Sequence, residues 1–150
     1  MAKVNPVPTG YGTVTPFLNI KGASEAIELY KKAFGAEELN RAPGPNNTLM
    51  HAAIRIGNSI VMIADAMMGP PTQASLHLYV EDCDALWKRA TAAGCKVEMP
   101  IADQFWGDRY GVVSDRFGNR WAIASHKEDV PADEMRRRMD KAIAEMRTAK

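Results

Sequence analysis

The densest chemistry in the chain lies in Ile101-Ala-Asp-Gln-Phe-Trp-Gly-Asp-Arg-Tyr-Gly111, where Phe105, Trp106 and Tyr110 sit beside Asp108 and Arg109. Glycines within and after the run let the backbone turn. Such a set can clamp a small molecule: the aromatic rings offer stacking faces, and the guanidinium offers a fork for an anionic or carbonyl group. The plainer alternative is a loop in which Trp106 packs over an edge and Asp108 pairs with Arg109. Of the three histidines, His51 and His77 stand in alternating runs and can face one cleft. No carboxylate occupies a matching position, so they read as hydrogen-bonding cleft residues rather than a metal pair. His126 ends a run beside a charged tail and reads as exposed. Cys83 and Cys95 flank an expected helix and read as small apolar residues. Cys95 follows the helix C-terminus, whose partial negative charge is wrong for a nucleophile. No GxSxG elbow, P-loop or strand-following GxGxxG is present, so nothing suggests a nucleotide cofactor.

The elements that position these residues say one thing twice. Thr13–Ile20 alternates as a strand, with Val14, Leu18 and Ile20 on one face and Thr13, Thr15, Phe17 and Asn19 on the other. A helix follows, with Ser24 as expected N-cap, an apolar stripe of Ala26, Ile27, Tyr30 and Phe34, and Gly35 as its stop. Ser75–Glu81 alternates in the same way. Its helix is capped by Asp82 or Asp84, carries Leu86, Trp87 and Ala90, and stops at Gly94. Ile54–Ile63 reads as a hairpin about Gly57-Asn58, and Val112–Ile123 as one about Gly118-Asn119. With Glu37–Arg41 and Lys96–Ile101 as further strands, each half reads β-α-β-β-β, the two halves offset by about 60 residues. That period is too long for a solenoid and points to a duplicated module. Module one covers about 13–65 and module two about 75–126, joined by Ala66–Gln73 with its Pro70-Pro71 break. A last helix, about 131–147, carries a narrow stripe of Met135, Met139, Ile143 and Met146. It is expected to dock on the domain or on a partner subunit.

Length and composition set the outer bounds. The chain has 150 residues, 46% of them hydrophobic, and a formal charge of +1. One domain spanning 1–150 is expected, α+β in class. The charge gives no pull toward nucleic acid, and no apolar run is long enough for a membrane span. The first twelve residues lack the apolar segment and cleavage site of a secretory leader, and two cysteines make no disulfide framework. A cytoplasmic home is the expectation.

Two β-α-β-β-β modules, together with Trp106-Gly-Asp-Arg-Tyr-Gly111, Asp115-Arg-Phe-Gly-Asn119, Trp121-Ala-Ile-Ala-Ser-His126, His51-Ala-Ala-Ile-Arg-Ile-Gly57 and Tyr79–Trp87, resemble the vicinal oxygen chelate superfamily. That superfamily includes glyoxalases, bleomycin-resistance proteins and extradiol dioxygenases, and the likeness is to its PhnB-like branch. The branch usually has Asp-Pro-Phe-Gly-His at the turn where this chain has Arg116 and Asn119. The resemblance implies a curved eight-stranded mixed sheet around a cleft, with Phe17, Asn19, His51, Arg55, Ser75, His77, Tyr79 and Arg120 pointing inward. It also implies metal ligands at Thr15, Met62 or Ala64, Ser75 and Ala122. None of these is a good ligand for a divalent cation, so no metal and no other cofactor is expected.

The resulting expectation is a metal-independent protein that sequesters a planar or anionic small molecule, as a homodimer. Its ligand-binding residues would be Phe17, His51, Arg55, His77, Tyr79, Trp106, Asp108, Arg109 and Tyr110. One alternative is a glyoxalase-like lyase or isomerase using Asp108, His77 or Tyr79 as acid or base. The other is a ligand-free structural or regulatory dimer.

Overall fold

The computed structural model describes residues 3–149; Met1, Ala2 and Lys150, which the single-domain reading includes, lie outside the described residues. Alternating apolar positions pair as expected in the first half. β1 (Phe17–Ile20), β4 (Ser59–Asp65), β3 (Leu49–Ile56) and β2 (Glu37–Pro43) form one four-stranded sheet in that order. β1 runs parallel to β4, and the other pairs are antiparallel. The second half repeats the design with β5 (Ser75–Tyr79), β8 (Arg120–His126), β7 (Asp108–Ser114) and β6 (Lys96–Asp103). Helices α1 (Ala23–Phe34) and α2 (Cys83–Ala92) each cross their own sheet and also pack on each other. The two modules thus share one core, in which Tyr30, Phe34, Trp121 and Ile123 meet, and the helix-free faces of both sheets are turned away from it.

Three local expectations need correction. The first strand begins at Phe17, not Thr13, and Val14 is 86% exposed instead of facing the core. Pro16 has no N–H to give a ladder and stands at the boundary. Ser24 is not the N-cap of α1. Gly22 holds that position at φ 92°, and Asp65 at the end of β4 accepts the N–H groups of Gly22 and Ala23 at 2.9 and 3.0 Å. A carboxylate supplied from β4 does what a hydroxyl two residues too far along cannot. Asp65 also accepts the Leu49 N–H at 2.7 Å. Burial pushes its carboxyl up, but these three backbone donors outweigh that and hold it below the usual carboxylate range. Finally, the stretch 101–111 is mostly strand. β6 runs to Asp103 and β7 starts at Asp108, leaving a four-residue turn.

The turn between β7 and β8 ties the modules together. Asp115 is buried; its Oδ1 accepts the Phe117 and Asn119 N–H groups, and its Oδ2 accepts the Tyr30 hydroxyl at 2.6 Å and the Trp121 indole N–H at 2.9 Å. Asn119, also buried, donates to Tyr30 Oη and accepts from Ala74 N. Gly118 allows the turn by taking φ 91°. Burial, then Asp115, pushes the Tyr30 hydroxyl far up and the Cys95 thiol to about 11, which keeps both neutral. The last helix, α3 (Ala132–Thr148), has no buried residue. Arg138 anchors it, donating to Phe105 O and to Glu128 and Glu134.

Candidate functional site

Strand register sorts the expected site residues. Ser75, His77 and Tyr79 of β5 lie opposite Arg120, Ala122 and Ala124 of β8, and Tyr110 of β7 lies opposite Ala124. All share the helix-free face of module two. The rings gather there: His77 lies 4.5 Å from Tyr79 and 5.5 Å from Tyr110, and Tyr110 lies 5.3 Å from Trp106, centroid to centroid. Phe105 packs edge-on against Trp106.

Beneath one end of this cluster sits Asp108, only 3% exposed. Its Oδ2 accepts the Tyr79 hydroxyl and the Trp106 indole N–H, both at 3.1 Å. Its Oδ1 lies 2.7 Å from His126 Nδ1, and His126 Nε2 lies 2.7 Å from Asp129 Oδ1. Burial pushes the Asp108 carboxyl up, but hydrogen bonds from His126, Tyr79 and Trp106 outweigh it and keep it below the usual range. Asp108 and then Asp129 raise His126, favouring an imidazolium that donates from both nitrogens. The hydrogen bond to Asp108, and then burial, raise Tyr79. A hydroxyl that donates to a carboxylate has a more basic oxygen, so Tyr79 Oη is a good acceptor for a ligand N–H. Gly107, at φ 100°, lets the turn seat directly on Glu128, whose N–H bonds back to Gly107 O.

One expectation fails at this site. Arg109 does not pair with Asp108 and does not join the rings. Its guanidinium grips Asp84 of α2 at 2.9–3.1 Å and Asp103 at 3.2 Å, which raises its pKa further. Alternation along β7 puts Arg109 on the helix side, opposite to Asp108 and Tyr110. His126 is exposed, as expected, and its ring also holds Asp108. Its parity with Asp108, two register steps from Tyr110–Ala124, was the available signal.

Module one contributes a separate group. Phe17 and His51 meet edge to face at 5.8 Å, while Arg55 lies 3.5 Å from Glu37. Gly10 of the N-terminal segment lies against Ile60 and Arg55. Among the described residues, no hydrogen bond, ion pair or ring contact joins Phe17, His51 or Arg55 to the module-two cluster. A groove of about 660 Å³ lies between the modules, bounded by Pro16, Ile56, Ser59 and Leu76 and reaching His77 and Tyr79. That volume suits a small organic ligand.

The positions that hold metal in the family this chain resembles do not fit one. Thr15 turns its hydroxyl to Gly12 O, Met62 and Ala64 pair with Phe17 and Asn19, Ser75 stands opposite Arg120, and Ala122 opposite His77. Asp108 and Asp129 take opposite nitrogens of His126 and so cannot share one ion. No cluster of three or more His, Cys, Asp or Glu able to hold a metal exists among the described residues.

Known proteins agree with this architecture. The model of the Glyoxalase/Bleomycin resistance protein/Dioxygenase superfamily matches residues 12–123. An uncharacterized protein of Mycobacterium bovis is 41% identical over 138 residues, covering 84% of this chain and 91% of its own. Among solved structures, TioX from Micromonospora superposes with a TM-score of 0.64 at 25% identity, covering 80% of this chain and all of TioX. The PhnB protein from Bacillus cereus shares the fold, with a TM-score of 0.58 at 19% identity over 76% of this chain and 99% of its own. By sequence and by fold, the chain belongs to the Glyoxalase/Bleomycin resistance protein/Dioxygenase superfamily.

Proposed function

We propose that the protein binds a planar small molecule without a metal, on the helix-free face of module two. The observation that carries this reading is the buried Asp108, which gathers Tyr79, Trp106 and His126 at the end of a row of aromatic rings. The ligand stacks on His77, Tyr79, Tyr110 and Trp106, and its N–H groups find Tyr79 Oη. Arg120, exposed on the same face, meets an anionic group, in the place first assigned to Arg109. Phe17, His51 and Arg55 reach such a ligand only across an assembly. The chain works as a homodimer: β1 and β5 each end a sheet with no further strand beside them, the β1 edge being met only by Thr72 N at Asn19 O, and Phe17 and Tyr79 on those strands are 44% and 64% exposed. Unpaired edges are protected by pairing, and two-fold pairing is the commonest closure. Two buried free thiols, Cys83 and Cys95, fit a cytoplasmic setting.

Native mass spectrometry of the protein from its own host, before and after chelation, tests this reading. It predicts a dimer with an organic adduct that survives chelation and about zero bound divalent metal. Near one zinc, nickel or iron per chain, or an adduct lost with the metal, refutes it. A second reading rests on the Tyr79–Asp108–His126 chain: a lyase or isomerase in which Tyr79 exchanges a proton with substrate. Turnover of a thiohemiacetal of methylglyoxal by the chelated protein, lost in Tyr79→Phe, is its mark.

A further inference from the structure

Trp106 sits in a β-turn, Gln104–Gly107, that closes on its own hydrogen bonds: Gly107 N–H to Gln104 O at 3.2 Å, and Gln104 N–H to Asp108 O at 2.8 Å. The carbonyls before and after Trp106 are held from outside the turn. Gly107 O accepts the N–H groups of Lys127 and Glu128 at 2.9 and 3.0 Å. Phe105 O, whose peptide plane carries the Trp106 N–H, accepts from Arg138 Nη1 at 3.1 Å. The two holds form one unit, because the Arg138 fork also donates to both oxygens of Glu128, at 2.8 and 3.0 Å, and its Nε to Glu134 at 3.0 Å. Among the described residues, Arg138 is the one side chain of α3 that hydrogen-bonds outside the helix. Only Glu134, Met135, Arg138 and Ala142 of that helix are partly covered, and none is buried.

We propose that Arg138 is a positioning residue for the binding face of module two, a role that rests on the function proposed above. By fixing the Phe105–Trp106 peptide it sets where the Trp106 ring lies, and docking of α3 completes the row of rings. The distance to be covered is short. Phe105 packs edge-on against Trp106, centroids 5.2 Å apart, and also borders a hollow lined by Glu134, Arg138 and Lys141 of α3. Trp106 in turn donates to Asp108 and meets Tyr110 at 5.3 Å. The turn's own bonds fix its two ends, Gln104 and Gly107, and leave the central peptide to whatever donor meets its carbonyl. Arg138 is that donor. A lysine cannot replace it, because one ammonium does not present the planar fork that takes Glu128, Phe105 O and Glu134 together. With no buried residue on α3 and a single side chain tying it down, the helix can lift while the sheets stay folded.

Indole hydrogen exchange reads this hold without any ligand. In full-length, nitrogen-15-labelled protein, the Trp106 indole N–H should exchange with solvent about tenfold faster or more in Arg138→Ala and in Arg138→Lys. The buried Trp121 indole should keep its protection in both, and denaturant melts should shift little. Arg136→Ala, which removes the same charge from an exposed position of the same helix, should match the wild type. The binding probe is acridone carboxylate, a planar tricycle with one N–H and one anionic group. Its affinity should fall severalfold in both Arg138 variants and hold in Arg136→Ala. Trp106 exchange unchanged in Arg138→Ala overturns the proposal. An equal rise at Trp121, or a probe affinity equal to that of the wild type, overturns it too. If exchange quickens as expected but the wild type takes up no acridone carboxylate, the hold on Trp106 stands and the binding reading fails.

Discussion

The two modules share a fold and differ in what they do with its equivalent positions. At the end of the last strand, Asp65 of module one holds the first N–H groups of α1, and Ser125, 60 positions on, accepts the Cys83 N–H at the head of α2. At the hairpin turns the pattern diverges. Gly57-Asn58 makes a two-residue turn with Asn58 exposed, whereas Gly118-Asn119 ends a longer turn with Asn119 fully buried against Tyr30. On the helix-free faces the contrast is greater. Module one turns out Phe17 and His51, and its own N-terminal segment lies on Ile60 and Arg55. Module two leaves four rings uncovered above the buried Asp108 carboxylate. The scaffold repeats in both modules; the open ring cluster and the Asp115 knot between modules both lie in the second.

The largest effects should come from the inter-module knot. Asp115→Ala strands Tyr30 Oη, the Trp121 indole and two backbone N–H groups, and should cost on the order of 3–5 kcal/mol of stability. Trp121→Ala should cost about the same by opening a cavity. Denaturant melts measure both, and a loss below about 1 kcal/mol would mean the modules do not depend on this knot.

A paired asparagine test is next in size. Asn119→Ala should cost on the order of 1–3 kcal/mol, since its partners are buried, while Asn58→Ala at the equivalent turn stays within about 0.5 kcal/mol. Equal costs would erase the distinction drawn between the turns.

At the site itself, Trp106→Ala should weaken ligand binding by about tenfold, from lost stacking and the vacated Asp108 contact. Arg109→Ala should leave binding within about twofold and lower the melting temperature by a few degrees. The reverse pattern returns Arg109 to the ligand.

The smallest effect is the pH response of His126. Its folded pKa is raised, so its contribution is complete below its unfolded pKa of about 6.5 and fades as pH rises through the folded value. Melting temperature should therefore fall between pH 6 and 8 more in the wild type than in His126→Gln. Asp108 works oppositely, its lowered pKa adding stability above about pH 4 that acid removes. A proton NMR midpoint for His126 at or below 6.5 would contradict the double carboxylate clamp.

Much of the scaffold was legible in the sequence because it depends on period and punctuation. The alternation at Ser75–Tyr79, the αL stop at Gly35 and the hairpins about Gly57 and Gly118 are local, and each is where the residues put it. Capping of α1 was not legible, because its acceptor, Asp65, lies more than 40 residues away. The site was half legible for the same reason. His77, Tyr79, Trp106, Asp108 and Tyr110 do come together, but pairing Asp108 with Arg109 assumed a loop. Once 108–114 is a strand, neighbours face opposite ways, and the true partners are His126 across β8 and Asp84 on α2.

The indole N–H signals of the three tryptophans test the central claim most directly. Chelated, nitrogen-15-labelled protein is titrated with a panel of planar aromatic amines and carboxylates, the Trp106 signal being assigned through Trp106→Phe. Binders should move the Trp106 indole first and furthest, through its bond to Asp108, and leave buried Trp121 in place. Binders that leave Trp106 unmoved, or that bind only after zinc or nickel is restored, would contradict a metal-free site on the second module.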